Sequence, residues 1–179
     1  LSLHVALPIF LGHWIHIEPH AGAEGVRELR RCIDSAPGFI GFAVSVSGSG
    51  PPSDAGWERF YARCIEVGIP ALIFVGTTGL GAGLPGGNGV ILDDCHPRHL
   101  DIVAARYPQL NIVAARPGWP WQAETIAVLM HKRNIWYDLH GWSPKYFQAD
   151  LKHDISRRLR ERVMFGADYP LFTYERLVK

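Results

Sequence analysis

The side chains best suited to chemistry follow apolar stretches of the chain. Asp168 comes shortly after the apolar stretch Arg162–Gly166, at a turn that contains glycine and proline. A carboxylate without a partner is energetically costly there, so we expect a functional aspartate; an ordinary turn residue is the alternative. His140 follows the apolar stretch Asn134–Leu139. Because imidazole titrates near neutral pH, His140 is a candidate proton carrier, or else a tolerated polar side chain.

A glycine-rich loop follows the apolar stretch Ala71–Val75. Seven of the fourteen residues in Gly76–Gly89 are glycine. Three of them fit the G-x-G-x-x-G pattern of dinucleotide sites: Gly81, Gly83 and Gly86. In such a site the third glycine opens a helix, which the neighbouring proline and glycines prevent here. We expect either a loop that covers a substrate, with Gly76 and Thr77 at its start, or a merely flexible connection.

Two further loops are rich in aromatic and proline residues. Segment Arg116–Trp121 carries Trp119 and Trp121 beside two prolines, and Trp142 lies in segment His140–Phe147. Proline restricts the backbone, so these tryptophans form stiff aromatic surfaces. Such surfaces either line a substrate site or cover the end of the fold, and both alternatives stay open.

Several other histidines have less informative surroundings. His16, Glu18 and His20 have the period-two spacing that places side chains on one face of a strand. A metal site is conceivable there, but ordinary polar residues at a strand end are the expected case. His96 and His99 stand where a helix begins, and we expect them to be solvated surface residues.

The elements that must position these residues alternate between strand and helix. Short apolar runs predict six strands: Phe10–Ile17, Gly38–Val46, Ala71–Val75, Asn111–Ala115, Asn134–Leu139 and Arg162–Gly166. Helical spacing of apolar residues predicts five helices: Glu24–Ile33, Asp54–Val67 with Asp54 as its N-cap, Pro97–Tyr107, Gln122–Lys132 and Leu151–Arg160. This alternation predicts an α/β fold with a parallel sheet. We expect strands three to eight of a TIM-type (β/α)₈ barrel, and a six-stranded doubly wound sheet is the alternative.

Composition excludes several classes of protein. The chain has 179 residues, of which 47% are hydrophobic, enough for one packed domain, and its net charge is +1. We expect no nucleic-acid partner, because no block of basic residues is evident, and no membrane partner, because no apolar run is long enough. Three widely spaced cysteines predict reduced thiols in a cytoplasmic protein. A small-molecule substrate is the expected partner, and the oligomeric state, including a homo-oligomer, is left open.

The two ends of the chain look like interruptions of a longer protein. Residues 1–9 lack the basic region of a signal peptide and are expected to be a non-native or unstructured start. The last residues, 175–179, resemble the opening of a helix. We therefore expect residues 10–179 to form a partial barrel domain.

Four segments together resemble the amidohydrolase-related family of metal-dependent (β/α)₈ hydrolases and decarboxylases: Gly76–Gly89, Arg116–Glu124, Trp136–Phe147 and Phe165–Pro170. The nearest resemblance within the family is to 4-hydroxyphenyl-β-ketoacyl-CoA hydrolases. The resemblance implies a divalent metal, usually zinc. Its ligands in the family are a His-x-His or Glu-x-His pair on strand one, a histidine after strand five, sometimes a histidine after strand six, and an aspartate after strand eight. The resemblance also implies that the metal polarises the substrate or a water molecule and that the aspartate moves a proton.

The family's metal positions are largely altered in this chain. By this resemblance Phe74 stands where the strand-five histidine belongs, and Arg116 stands in place of the strand-six histidine. Asp168 matches the family's aspartate, as metal ligand and proton carrier, while His140 stands where a serine is usual. Phenylalanine cannot bind a metal, and the arginine cation would repel one. We expect Arg116 to pair with Asp168 instead.

Three functions follow as alternatives. The first is hydrolysis of a small carboxylated or acyl substrate, impaired here by the loss of metal-binding histidines. The second is non-oxidative decarboxylation, a carbon–carbon lyase activity of the same family. The third is a non-catalytic barrel that retains the substrate loops. We expect the substrate to contact residues from three loops: Gly76, Thr77, Arg116, Trp119, Trp121 and Trp142.

Overall fold

The structure is a computed structural model that describes residues 13–35, 38–44, 49–168 and 172–177. The expected start over residues 1–9 lies outside the described residues, as do parts of the predicted first two strands. Six strands form one sheet: β1 His13–His16, β2 Phe39–Val44, β3 Ala71–Phe74, β4 Ile112–Ala115, β5 Ile135–Asp138 and β6 Val163–Met164.

Helices connect successive strands. Their bounds are α1 Gly22–Ser35, α2 Glu58–Val67, α3 Pro97–Arg106, α4 Gln122–His131, α5 Ala149–Ile155 and α6 Tyr174–Leu177. The predicted N-cap is confirmed, since the Asp54 carboxylate accepts a hydrogen bond from the Gly56 backbone amide in the short 3₁₀ turn before α2.

One predicted helix is too long. The sequence pattern predicted a helix over Leu151–Arg160, whereas α5 ends at Ile155. The backbone amides of Arg157 and Leu159 both donate to the carbonyl of Asp154, which reverses the chain. This turn brings Leu159 into the core, where it is fully buried, so burial of one leucine outweighs continuation of the helix.

The strands follow one another across the sheet in chain order, and every neighbouring pair is parallel. A doubly wound sheet reverses its strand order at a switch point, whereas a barrel wall adds each strand beside the previous one. The sequential order therefore confirms the predicted α/β class and the incomplete (β/α)₈ barrel, and it excludes the doubly wound alternative.

The two faces of the sheet are covered unequally. The larger core lies between the sheet and the helices and includes Phe42, Trp57, Phe60, Ile112 and Leu129. A smaller cluster, on strands β3 and β4, consists of Leu72, Val113 and Ala115 with four partly buried neighbours: Trp14, Ala43, Phe74 and Trp136. Side chains alternate along a strand, so this smaller cluster is the face that lines the inside of a barrel.

The distribution of charge differs from the expectation. Five arginines gather around one surface depression: Arg133, Arg157, Arg158, Arg160 and Arg162. Four of them come from the single run 157–162, and the packing of α5 beside α4 adds Arg133, so the inference that the chain has no block of basic residues was wrong. Among the described helices, none combines the length and apolar character needed to cross a membrane.

Candidate active site at the carboxyl end of the sheet

The carboxyl ends of four neighbouring strands bring together the residues that the sequence marked for chemistry. Phe74 ends β3, Arg116 follows β4, and Asp168 follows β6. Asp138 ends β5 and His140 comes two residues later. Parallel strands place these ends at one edge, which is where active sites of parallel α/β folds are built.

Arg116 and Asp168 form the expected ion pair. The distance from Nη2 of Arg116 to Oδ2 of Asp168 is 3.5 Å, and both side chains are roughly three-quarters buried. Both residues have positive φ angles, 77° for Arg116 and 58° for Asp168, a conformation uncommon outside glycine. Such backbone strain is concentrated at functional positions in proteins. The positive φ angles therefore indicate that the backbone after β4 and after β6 leaves the strand conformation where these two side chains pair.

The guanidinium of Arg116 has two neighbours, the Asp168 carboxylate and the ring of Phe74, with 5.3 Å between Cζ and the ring centroid. The backbone of the same residue is fixed separately, since the Arg116 amide donates to the carbonyl of Asp138 at 2.8 Å. Nε of Arg116 is buried and donates to no atom of the described residues. Arg116 therefore retains an unused donor at the centre of the site.

His140 is buried, with 8% of its surface exposed, and is fixed by Asp138. Nδ1 of His140 lies 2.8 Å from Oδ2 of Asp138, and the backbone amide of His140 donates to Oδ1 at 3.1 Å. The ring centroids of His140 and Phe74 lie 6.0 Å apart, and the two ring planes are nearly perpendicular, at 86°. A carboxylate on Nδ1 orients an imidazole for proton transfer at Nε2.

Asp138 was not among the site residues predicted from the sequence. Its signal is the two-residue spacing from His140, which directs both side chains to the same side when the strand conformation continues. The aspartate was hidden inside an apolar stretch that was interpreted only as a strand.

Asp168 also lies close to the loop after β5. A Cβ atom added to Gly141 would lie 3.1 Å from Oδ2 of Asp168, and one added to Gly166 would lie 3.0 Å from Cβ of His140. The absence of a side chain at these two positions therefore lets the segment after β5 pack closely against the segment after β6.

The start of the glycine-rich loop is fixed by backbone hydrogen bonds. The amide of Gly76 donates to the carbonyl of Cys95 at 2.9 Å, and the amide of Thr77 donates to the carbonyl of Trp119 at 2.6 Å. Gly76 has a φ of +85°, and a Cβ there would lie 2.6 Å from the backbone of Gly118. Gly76 and Thr77 thus join the loops after β3 and β4, and their contact with a substrate stays a prediction.

The three predicted tryptophans do not share one location. Trp119 is 46% exposed, and its ring centroid lies 6.5 Å from that of Trp142. Trp121 instead packs against His96 at 4.8 Å. A cavity of about 150 Å³ lies next to Trp142 and is bordered by Gly141 and Lys145. The structure therefore brings together Trp119 and Trp142 and separates Trp121 from them.

His96 and His99 are not solvated surface residues, contrary to expectation. Nδ1 of His96 accepts a hydrogen bond from the Arg98 amide and caps α3, while Nδ1 of His99 lies 2.8 Å from Oγ of Ser53. Burial lowers the pKa of His99, and the nearby Arg98 cation lowers it further. Packing of the loop before α3 encloses both rings, which sequence spacing alone does not reveal.

The three cysteines are buried free thiols. Cys95 lies nearest to the candidate site, since its carbonyl binds Gly76. Burial raises the pKa of the Cys95 thiol to about 11, so the thiol stays protonated and weakly nucleophilic at neutral pH. Cys64 is similarly inert, because burial raises its pKa to about 12.

The described residues do not fit a divalent metal. No group of three or more histidine, cysteine, aspartate or glutamate side chains converges within the described part of the chain. Asp168 faces Arg116, and the guanidinium of Arg116 lies over the phenyl ring of Phe74, which cannot bind a metal. At the chain start, His16 pairs with Glu18 at 2.9 Å and contacts the Ala43 carbonyl, an arrangement of ordinary polar residues. A zinc site needs several N, S or O ligands around one point.

Solved structures resemble the chain in fold. An uncharacterised TIM-barrel protein from Bordetella bronchiseptica has 20% identity and a TM-score of 0.72, with 94% of this chain and 58% of that protein covered. A 5-carboxyvanillate decarboxylase from Novosphingobium aromaticivorans, with bound manganese and a nitrobenzoic acid, has 17% identity and a TM-score of 0.65. The match covers 99% of this chain and 61% of that enzyme. A probable 2-pyrone-4,6-dicarboxylic acid hydrolase from Acinetobacter baumannii has 12% identity and a TM-score of 0.57. The match covers 98% of this chain and 76% of that protein.

The chain thus spans about three fifths of the length of the first two of these structures. Among curated proteins, none has a sequence that matches this chain. The sequence profile described as amidohydrolase matches residues 3–179. Since this match extends over nearly the whole sequence, the chain belongs to the amidohydrolase family.

Proposed function

We propose that this chain binds a small carboxylated or acyl substrate at the carboxyl end of the sheet and that its hydrolytic activity is impaired relative to metal-dependent members of the family. The observation that carries the proposal is the pairing of Arg116 with Asp168 at 3.5 Å, beside the His140–Asp138 pair. This cluster replaces a metal centre with a guanidinium.

Arg116 supplies the affinity for a carboxylate. A guanidinium presents five N–H donors in a planar fork, and carboxylates bind it through two parallel hydrogen bonds. At 3.5 Å, the contact with Asp168 is longer than a strong charge-assisted hydrogen bond, and Nε has no acceptor among the described residues. Nε itself is buried, but the Arg116 side chain keeps 24% of its surface exposed, so an incoming carboxylate can reach the other N–H donors of an oriented guanidinium.

His140 supplies the proton chemistry. With Nδ1 held by Asp138, its Nε2 takes a proton from a water molecule that attacks the acyl carbon, and it returns this proton to the leaving alcohol or thiol as the acyl C–O or C–S bond breaks. Arg116 stabilises the negative charge that develops on the acyl oxygen, and Asp168 keeps the guanidinium in place. In this proposal Trp119 and Trp142 contribute an apolar wall, and Gly76 and Thr77 contribute backbone at the edge of the substrate site.

A divalent metal has no role in these steps. The family's expected zinc is not supported by the donor set of this chain, because Phe74 and Arg116 occupy two of the positions that the family resemblance assigns to histidines. We expect low hydrolytic rates for this reason. The closer resemblance to 4-hydroxyphenyl-β-ketoacyl-CoA hydrolases stays a prediction.

Decarboxylation is the second candidate. It is favoured by Arg116, whose cation would hold the carboxylate that is lost, and by the fold shared with 5-carboxyvanillate decarboxylase. A non-catalytic binding protein is the third candidate, and the following measurements separate it from the enzymes.

The test measures benzoate binding by titration calorimetry in the wild type and in Arg116→Gln. We expect at least about tenfold weaker binding in the variant, because one charge-assisted contact is lost. Arg27→Gln, on the distant and exposed α1, is the matched control and should bind like the wild type. Equal affinity in Arg116→Gln and the wild type would refute the binding site.

Turnover is tested with 4-nitrophenyl acetate, an activated acyl ester. We expect a slow hydrolysis that falls by about 10²-fold in His140→Gln, the range typical of general-base catalysis. If His140→Gln leaves the rate unchanged while Arg116→Gln still loses benzoate, the chain is a binding protein and the enzymatic part of the proposal fails.

A further inference from the structure

A basic depression of about 390 Å³ lies at the opposite end of the sheet from the candidate active site. It is lined by Glu161 and by five arginines: Arg133, Arg157, Arg158, Arg160 and Arg162. Arg133 precedes β5 and Arg162 precedes β6, so the depression lies at the amino ends of these strands. It shares no residue with the cluster around Arg116.

The backbone that presents these arginines is well fixed. Leu159 is fully buried in the core and stands between Arg158 and Arg160. The amide of Arg162 donates to the carbonyl of Leu159 at 2.8 Å, and its guanidinium donates to the carbonyl of Lys132 at 2.9 Å. These bonds tie the turn after α5 to the end of α4, so the arginines project from a preorganised surface.

The positive charge of the depression is only partly balanced. Arg158 pairs with Asp154 at 2.6 Å, and Arg160 lies 3.4 Å from Glu161. Arg133 and Arg157 form no ion pair with any described residue, and both are exposed. The whole chain has a net charge of only +1, so this concentration of cations in one depression is a local feature. Crowded like charges repel each other, and an anion relieves that repulsion.

The residue type indicates the ligand. Guanidinium groups bind phosphate oxygens through paired hydrogen bonds, and a ligand with several phosphates can reach more than one arginine at once. A single carboxylate would satisfy only one of them. The open shape of the depression also suits a polar, solvated ligand rather than an apolar one.

We infer that this depression, here called the arginine basin, binds a small molecule that carries two or more phosphate groups, with Arg133 and Arg157 as its principal contacts. The site is separate from the proposed carboxylate site, and each can exist without the other.

The experiment titrates the full chain with inorganic tripolyphosphate by calorimetry, without divalent cations, at about 0.15 M salt to screen weak surface attraction. We expect saturable binding to the wild type and a rise in its melting temperature. The double variant Arg133→Gln with Arg157→Gln should bind at least about tenfold more weakly. The double variant Arg133→Lys with Arg157→Lys keeps the positive charge but loses the planar guanidinium groups that form paired hydrogen bonds to phosphate. We therefore expect its affinity to lie between those of the wild type and the glutamine variant.

The matched control is Arg27→Gln with Arg30→Gln on α1, which removes the same charge from a distant surface. Its affinity should stay within about twofold of the wild type, since a screened surface charge contributes little. Circular dichroism checks that each variant is folded. The inference is overturned if the wild type shows no saturable binding, or if both glutamine variants lose affinity equally. Tighter binding to a DNA duplex or to anionic lipid vesicles than to tripolyphosphate would equally overturn it.

Discussion

Two histidine–carboxylate pairs with the same two-residue spacing lie near the carboxyl ends of strands. At β1, Nε2 of His16 lies 2.9 Å from Oε1 of Glu18. At β5, Nδ1 of His140 lies 2.8 Å from Oδ2 of Asp138. The side chains of the first pair are about a third exposed, at 32% and 31%, whereas those of the second are exposed by only 10% and 18%.

The surroundings of the two pairs differ more than their geometry. The other ring nitrogen of His16 contacts the backbone carbonyl of Ala43, so this histidine helps to fasten β1 to β2. His140 instead meets the ring of Phe74, and that same ring carries the guanidinium of Arg116 on its face. A histidine paired with a carboxylate thus serves strand pairing in one place and a charged cluster in the other.

The largest expected effect concerns the packing of the loops after β3 and β4, on the strands that carry Phe74 and Arg116. Gly76→Ala adds a Cβ within 2.6 Å of the Gly118 backbone at a positive φ, which should destabilise the fold by about 2–5 kcal/mol. Gly68→Ala is the control, because Gly68 has a φ of +74° but nothing within 4 Å of an added Cβ, and its cost should be about 1 kcal/mol. Urea unfolding measures both, and equal costs would show that the loops after β3 and β4 do not pack as described.

The second prediction compares the pairs directly. Asp138→Asn removes the charge that orients His140 and should lower the free energy of unfolding by about 1–3 kcal/mol, because the acceptor is largely buried. Glu18→Gln, in the more exposed pair, should cost about 0.5 kcal/mol or less. Urea unfolding of the wild type and of each variant measures the two losses in free energy of unfolding. A larger loss in Glu18→Gln than in Asp138→Asn would reverse the distinction drawn between the two pairs.

A smaller effect is expected from His99, a histidine that belongs to neither pair. Burial and the cation of Arg98 lower its pKa in the folded chain below the ordinary value of 6.5. The unfolded chain therefore takes up the proton first as the pH falls, so the stability contributed by the neutral ring is complete above pH 6.5 and declines below it. Between pH 6.5 and about pH 5, the free energy of unfolding should fall less steeply in His99→Gln than in the wild type. Identical slopes in the two proteins would contradict this assignment.

Much of the fold could be predicted from the sequence because its signals are local. Apolar runs and helical spacing place all six strands and five helices, and their alternation implies parallel pairing. The end of α5 could not be predicted, since it depends on the burial of Leu159 against distant residues. The arginine basin is partly visible in the sequence, because residues 157–162 hold four arginines and this run was overlooked. Only the addition of Arg133 depends on the packing of α4 beside α5.

The site was predictable in part. The pairing of Arg116 with Asp168 followed from a family resemblance, and the geometry confirms it. The partner of His140 was overlooked, because Asp138 looks like one polar residue in a buried strand until its spacing is considered. Trp121 was grouped with the other tryptophans by composition, although its contact with His96 depends on a loop that lies 25 residues earlier in the chain.

The central claim is that Phe74 and Arg116 take the place of a metal centre beside Asp168, and a zinc titration of the purified chain tests it most directly. We predict far less than one zinc ion per chain in the wild type, because one aspartate paired with an arginine is not a zinc site. The double substitution Phe74→His with Arg116→His should bind about one zinc ion, since it sets two imidazoles beside the Asp168 carboxylate. Stoichiometric zinc in the wild type that is lost in Asp168→Ala would contradict the account.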